Sequence, residues 1–110
     1  MKPHRIIARA YIDLVEAEDR LEREHPGYGR EFGNLFEFAV RVATDSPQRY
    51  SLAFDSPNRK YEIREYHIAR FEYRLIYALL PTEIVFLALV HARSKPGSWT
   101  GRLKAFKEQS

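Results

Sequence analysis

Apolar positions recur every three or four residues in the first half of the chain and every second residue in the second half. From Arg9 to Glu24, Tyr11, Leu14, Val15 and Leu21, with Ala10 and Ala17 beside them, are separated by mostly charged residues, which is the spacing of an amphipathic helix. His25-Pro26-Gly27 ends it, because proline removes a backbone donor and glycine permits a turn. Phe32, Leu35, Phe36, Ala39 and Val42 or Ala43 then mark a second helix from Arg30 to Thr44. Asp45-Ser46-Pro47 stops that one, since the residue before a proline is pushed out of the helical region. Two adjacent apolar stripes predict a helical hairpin.

Extended structure brackets the hairpin. His4 to Ala8 reads as a short opening strand, Tyr50 to Phe54 as a short extended segment, and Asp55-Ser56-Pro57-Asn58 as a turn. After Tyr61 to Ile68, the positions Phe71, Tyr73, Leu75, Tyr77 and Leu79 alternate with Glu72, Arg74, Ile76, Ala78 and Leu80, which is strand spacing. Ile84 to Val90 is apolar on both faces, as in a strand covered on both sides. Pro81-Thr82-Glu83 is a tight connector, so residues 71–80 and 84–92 form an antiparallel hairpin. Ser98 to Lys107 reads as a short basic helix. The prediction is a single α+β domain over residues 1–110, an N-terminal helical hairpin packed on a small curved antiparallel β-sheet. Tyr11, Leu14, Leu21, Phe32, Leu35 and Phe36 are expected to join the core. Leu75, Ile76, Leu79, Ile84, Phe86 and Leu87 present more apolar surface than one hairpin readily covers, so a partner segment is expected on the remainder.

Composition narrows the function classes. A 45% hydrophobic fraction in 110 residues supplies a core and argues against disorder. With no cysteine there is no disulfide, thiolate zinc site or cysteine nucleophile, which suits a reducing cytoplasm. The first twenty residues show no targeting signal, and the apolar run Ile84 to Val90 is far below the roughly 18 residues that span a bilayer, so a cytoplasmic chain without membrane contact is expected. His4, His25, His67 and His91 are scattered without carboxylates at ligand spacing, so no metal is expected. Neither a glycine-rich phosphate loop nor a Gly-x-Ser-x-Gly elbow is present, and no cofactor is expected.

Net charge is +3, and the excess lies in the second half: residues 91–110 carry Arg93, Lys95, Arg102, Lys104 and Lys107 against Glu108 alone. Such a segment favours an acidic partner. Arg64, Arg70, Arg74 and Arg93, followed by Trp99 and Arg102, are the candidate chemistry. Arg74 points away from Tyr73, Leu75 and Tyr77, where it either pairs with Glu72 or Glu65 or faces a ligand phosphate. His67 and His91 are either strand residues with a satisfied ring nitrogen or acid–base groups. Trp99 either packs against the sheet edge or stacks on a ligand.

The run Ile63 to Tyr77, the strand Ile84 to Val90, His91-Ala92-Arg93 and Pro96-Gly97-Ser98-Trp99 resemble the RelE/ParE superfamily of toxins from bacterial toxin–antitoxin, or plasmid-stabilisation, modules. Ala10 to Leu14, Glu16-Ala17, Pro26-Gly27 and Phe32 fit the helical half of the same pattern, so the resemblance covers nearly the whole chain. It implies growth inhibition, a cognate antitoxin as partner and a hetero-oligomer with it. For ribosome-dependent messenger RNA endonucleases of the RelE type, it implies that Arg74 and Arg93 stabilise phosphate charge, with His67 as acid or base. That type has lysines where Glu65 and His67 stand here and a tyrosine where Trp99 stands. A carboxylate near a scissile phosphate repels it, and an indole has no ionisable hydroxyl. The departures favour the ParE-like kind, which inhibits DNA gyrase by binding and without chemistry of its own. In that case Arg64, Arg70, His91, Lys95, Trp99 and Arg102 are the candidate target- or phosphate-binding residues. A ribosome-dependent endonuclease and a non-toxic basic adaptor of the same fold are the alternatives.

Overall fold

The alternation of charged and apolar residues after Ile7 winds Ala8–Glu24 into a helix, α1, whose buried stripe is Ala10, Ala17 and Leu21, with Leu14 half-buried between them. The computed structural model describes residues 2–56 and 60–103. A short strand, β1 (His4–Ile6), precedes α1, and α2 (Tyr28–Asp45) follows it. Gly29 sets the distance between the helices, because a β-carbon there would lie 2.9 Å from the carbonyl oxygen of Glu18. A single-turn 3₁₀ helix (Pro47–Arg49) leads to a segment that touches the sheet through one bridge, Leu52 to Arg64. The chain then runs through β2 (Glu62–Ile68), a 3₁₀ turn (Ala69–Phe71), β3 (Tyr73–Leu79) and β4 (Ile84–His91).

The four strands form one sheet in the order β1-β4-β3-β2. β2 with β3 and β3 with β4 are antiparallel, as the alternation predicts, whereas β1 pairs with β4 in parallel through His4–Ile84, Arg5–Val85 and Ile6–Phe86. The sheet is therefore mixed, which corrects the wholly antiparallel expectation. The physical reason is the hairpin: α2 returns the chain to the end where β1 starts, so Lys2, Asp45, Tyr61 and Ile84 border one cleft and β1, β2 and β4 all run the same way. Leu87 is the extra residue of a bulge in β4, since the pairing steps from Ile76–Ala88 to Tyr77–Phe86.

Each face of the sheet has its own core. The helices cover one face, with Phe32, Phe36, Ala39 and Leu21 against Tyr73, Leu75, Tyr77, Ile84 and Phe86. On the other face Ile63, Ile76, Ala78, Val85, Leu87, Ala88 and Val90 lie under Ala53, Trp99 and Leu103. Of the strand residues on which a partner segment was expected, the helices bury Leu75, Ile84 and Phe86, and the chain's own tail covers Ile76 and Leu87. Of the residues expected in the helix–sheet core, Leu21, Phe32 and Phe36 are buried and Leu14 and Leu35 half-buried, but Tyr11 is 51% exposed. The alanines explain it: the stripe through Ala10, Leu14, Ala17 and Leu21 faces the sheet and carries Tyr11 and Val15 round to solvent. Leu21→Ala is accordingly expected to lower unfolding free energy by about 2–5 kcal/mol. Tyr11→Ala should stay within about 0.5 kcal/mol of the parent, with both changes read by urea denaturation.

Candidate functional site

Alternation along β3 puts Arg74 on the tail-covered face with Ile76 and Ala78, opposite the helices. A guanidinium in that layer must be paired, and it is. Its side chain is 7% exposed, one terminal nitrogen lies 2.8 Å from Asp55 Oδ2, and the other lies 3.0 Å from Glu65 Oε1 and 3.2 Å from Asp55 Oδ1. Burial alone lowers the affinity of Arg74 for its proton, yet the two carboxylates outweigh it and raise the pKa. The ring of Phe54 lies beneath the guanidinium, 4.7 Å from ring centroid to Cζ.

Asp55 is the hub. Besides Arg74, its Oδ2 accepts from the Gly97 backbone N–H at 2.8 Å and from the Trp99 indole N–H at 3.0 Å. Gly97 has φ +79°, a left-handed conformation that glycine adopts without strain, and this turns its N–H toward the carboxylate. Burial pushes the Asp55 carboxyl up, but hydrogen bonds from Arg74, Gly97 and Trp99 outweigh it and hold the pKa at about 2 instead of 3.8. A lowered folded value means the pairing stabilises above the ordinary value and is lost as pH falls from about 4 toward 2. The expected loss is about 2 kcal/mol, measured by urea denaturation at pH 6 and at pH 2.5. Asp55→Asn should remove that part of the pH dependence.

The sequence candidates fall into three groups. Arg74, His67 and Trp99 come together. His67 pairs across the sheet with Arg74 and is 63% exposed, and its Nε2 lies 2.8 Å from Glu65 Oε2. Trp99 is 1% exposed, so its ring packs over the sheet and has no face open to a base or a target. A second group serves structure elsewhere. Arg64 binds Glu62 and the Tyr50 carbonyl, and Arg70 binds Glu31 at 2.9 Å while lying over the rings of Tyr28 and Phe71. Arg102 makes two bonds to Asp13, at 2.6 and 3.0 Å, and one to the Leu87 carbonyl. All four candidates thus have partners within the chain, Arg70 through a pair that stays on the surface, and Trp99 takes the packing role that was one of its two readings. The third group is open: Arg93 and Lys95 are exposed on the loop after β4. His91, before them, accepts from the Arg93 N–H at Nδ1, and burial first, then the charge of Arg20, lowers its pKa.

Around Arg74, two carboxylates therefore meet one guanidinium, and all three groups are buried. Sequence reasoning missed Asp55, read there only as a turn residue. The basic helix expected over Ser98 to Lys107 begins as a turn with helical Arg102 and Leu103, and Lys104, Lys107 and the rest of that span lie outside the described residues, as do Pro57 and Asn58 of the expected turn. Among the described residues no group of histidines and carboxylates is arranged to hold a metal ion, and no helix is long and apolar enough to cross a membrane. No family model matches the chain, and no curated protein matches it.

Proposed function

We propose that the chain is the toxin half of a type II toxin–antitoxin module, RelE/ParE-like and of the ParE-like kind. It inhibits growth by binding a bacterial target such as DNA gyrase, and a cognate antitoxin neutralises it in the cytoplasm. The two-helix hairpin on a sheet is compatible with this reading. One observation carries the choice of binding over cleavage: the guanidinium of Arg74 is already taken by Asp55 and Glu65 and shut from solvent. A group that stabilises phosphate charge must be free to meet that charge as it develops. Among the described residues, Arg93 and Lys95, exposed on one loop, are the sequence candidates we assign to the target contact.

An endonuclease reading draws on one feature, the exposed imidazole of His67 held by the buried carboxylate of Glu65. Induction of the chain alone in bacteria separates the readings. Replication arrest with filamentation, and gyrase supercoiling inhibited by the purified chain, are the expected results. Messenger cleaved on ribosomes with supercoiling unaffected would establish the endonuclease instead, and unimpeded growth would leave the adaptor.

A further inference from the structure

Apolar residues lie on two faces of α1. One stripe, Ala10, Leu14, Ala17 and Leu21, faces the sheet. On the far side Ala8, Ile12 and Val15 recur at i, i+4 and i+7 with Tyr11 beside them, and all four are exposed, Tyr11, Ile12 and Val15 by about half. A surface helix keeps polar residues on its outward face, so a second apolar stripe marks a surface with something to meet. The charges beside it are ordered along the helix. Arg9 stands at the N-terminal end of the stripe, and Glu16 and Asp19 stand at its C-terminal end. Within the chain Arg9 lies 3.9 Å from Glu16, both side chains being more than half exposed, and Asp19 has no ion pair among the described residues.

An order of basic, apolar and acidic positions is complementary to its own reverse. We propose that the stripe docks a second copy of this chain, with the two α1 helices antiparallel about a twofold axis between Ile12 and Val15. That arrangement sets Ile12 of each copy against Val15 of the other, and Arg9 of each opposite Glu16 and Asp19 of the other. It also opposes the two helix dipoles. A parallel pair would instead set Arg9 beside Arg9 and Asp19 beside Asp19, and a basic peptide from elsewhere would leave Arg9 facing like charge. One helix face is a small interface by the standard of stable complexes, so the dimer is expected to form with concentration and to dissociate on dilution. The inference does not rest on the toxin reading, and its test involves neither growth nor gyrase.

The test is sedimentation velocity on the full chain over a hundredfold range of concentration. A monomer–dimer equilibrium is expected for the parent. Ile12→Glu/Val15→Glu should weaken it at least tenfold, as should Arg9→Glu alone and Glu16→Arg/Asp19→Arg alone. Each variant should unfold in urea like the parent, because every one of these sites is exposed. Mixing the two charge-reversed variants sets each reversed end against its complement, so the mixture should regain the parent's dimerisation. A parent that stays monomeric, a dimer that survives Ile12→Glu/Val15→Glu, or a mixture no more associated than its components would overturn the proposal. Oligomers that keep growing with concentration would show a head-to-tail contact and would overturn it as well.

Discussion

Asp55→Ala is expected to be among the most damaging single substitutions in this chain, costing about 3–5 kcal/mol, because it leaves Arg74 with Glu65 alone and leaves the buried Trp99 indole and the Gly97 N–H without their acceptor. Four hydrogen bonds converge on this carboxylate, from both terminal nitrogens of Arg74, the Gly97 N–H and the Trp99 indole. Its loss therefore does more than unpair a charge: it unfastens the 96–103 segment that roofs the second core. The unfolding midpoint in urea should fall sharply, and Trp99 fluorescence should shift toward that of an exposed indole before the helices melt. Asp55→Asn keeps an oxygen for the indole and the Gly97 N–H, so it should retain part of that stability. An Asp55→Ala chain as stable as the parent, with Trp99 still buried, would show that packing of Trp99 and Leu103 holds the tail without the carboxylate.

The largest functional effect is expected at the loop after β4. Arg93→Glu combined with Lys95→Glu exchanges two exposed cations for two anions, a change of −4 in charge on an already exposed surface. Stability should move by no more than about 0.5 kcal/mol per site. Growth inhibition should disappear, and gyrase inhibition by the purified chain should fall by at least a hundredfold, because charge reversal turns attraction for an acidic partner into repulsion. Arg74→Ala makes the contrast, since it should lose stability and toxicity together and show reduced soluble protein on a gel. Full toxicity in the double charge reversal would remove the loop from the target contact and direct attention to His67.

The helical hairpin was legible because two 3.6-residue stripes lie on either side of a proline–glycine stop, and β3 was legible because large residues recur at every second place, Tyr73, Leu75, Tyr77 and Leu79. Tyr11 was misplaced for a physical reason. An aromatic ring outweighs an alanine in any reading by hydrophobicity, yet small Ala10 and Ala17 are what let α1 lie close to the sheet. The parallel pairing of β1 had no signature, since three residues carry neither a period nor a turn that fixes direction. The packing of Trp99 on the sheet was one reading of the sequence, but the course of the tail over the second core was not legible. Trp99 and Leu103 sit among glycine, serine and threonine, and burial there depends on an aspartate more than forty positions earlier in the chain. At the candidate site, the side of β3 on which Arg74 lies could be read from the alternation, while Glu65 stood there only as one possible partner beside Glu72 and a ligand phosphate. Asp55 could not, because an aspartate before Ser-Pro looks like ordinary turn chemistry.

The salt bridge between Asp13 and Arg102 bears on when the fold can become safe from aggregation. β1 pairs with β4 only as far as Phe86, so the bulged Leu87 carbonyl and the Leu89 N–H lie beyond the end of the parallel ladder. Arg102 takes the first and Asp13 the second, while the two side chains bind each other. Two charges thus occupy the place where a foreign strand would add itself to the sheet. Asp13 is translated before β2, β3 and β4, and Arg102 after all three. A growing chain therefore exposes that edge of β4 until residue 102 is free to fold back, and this interval is when chaperones or a partner would matter most.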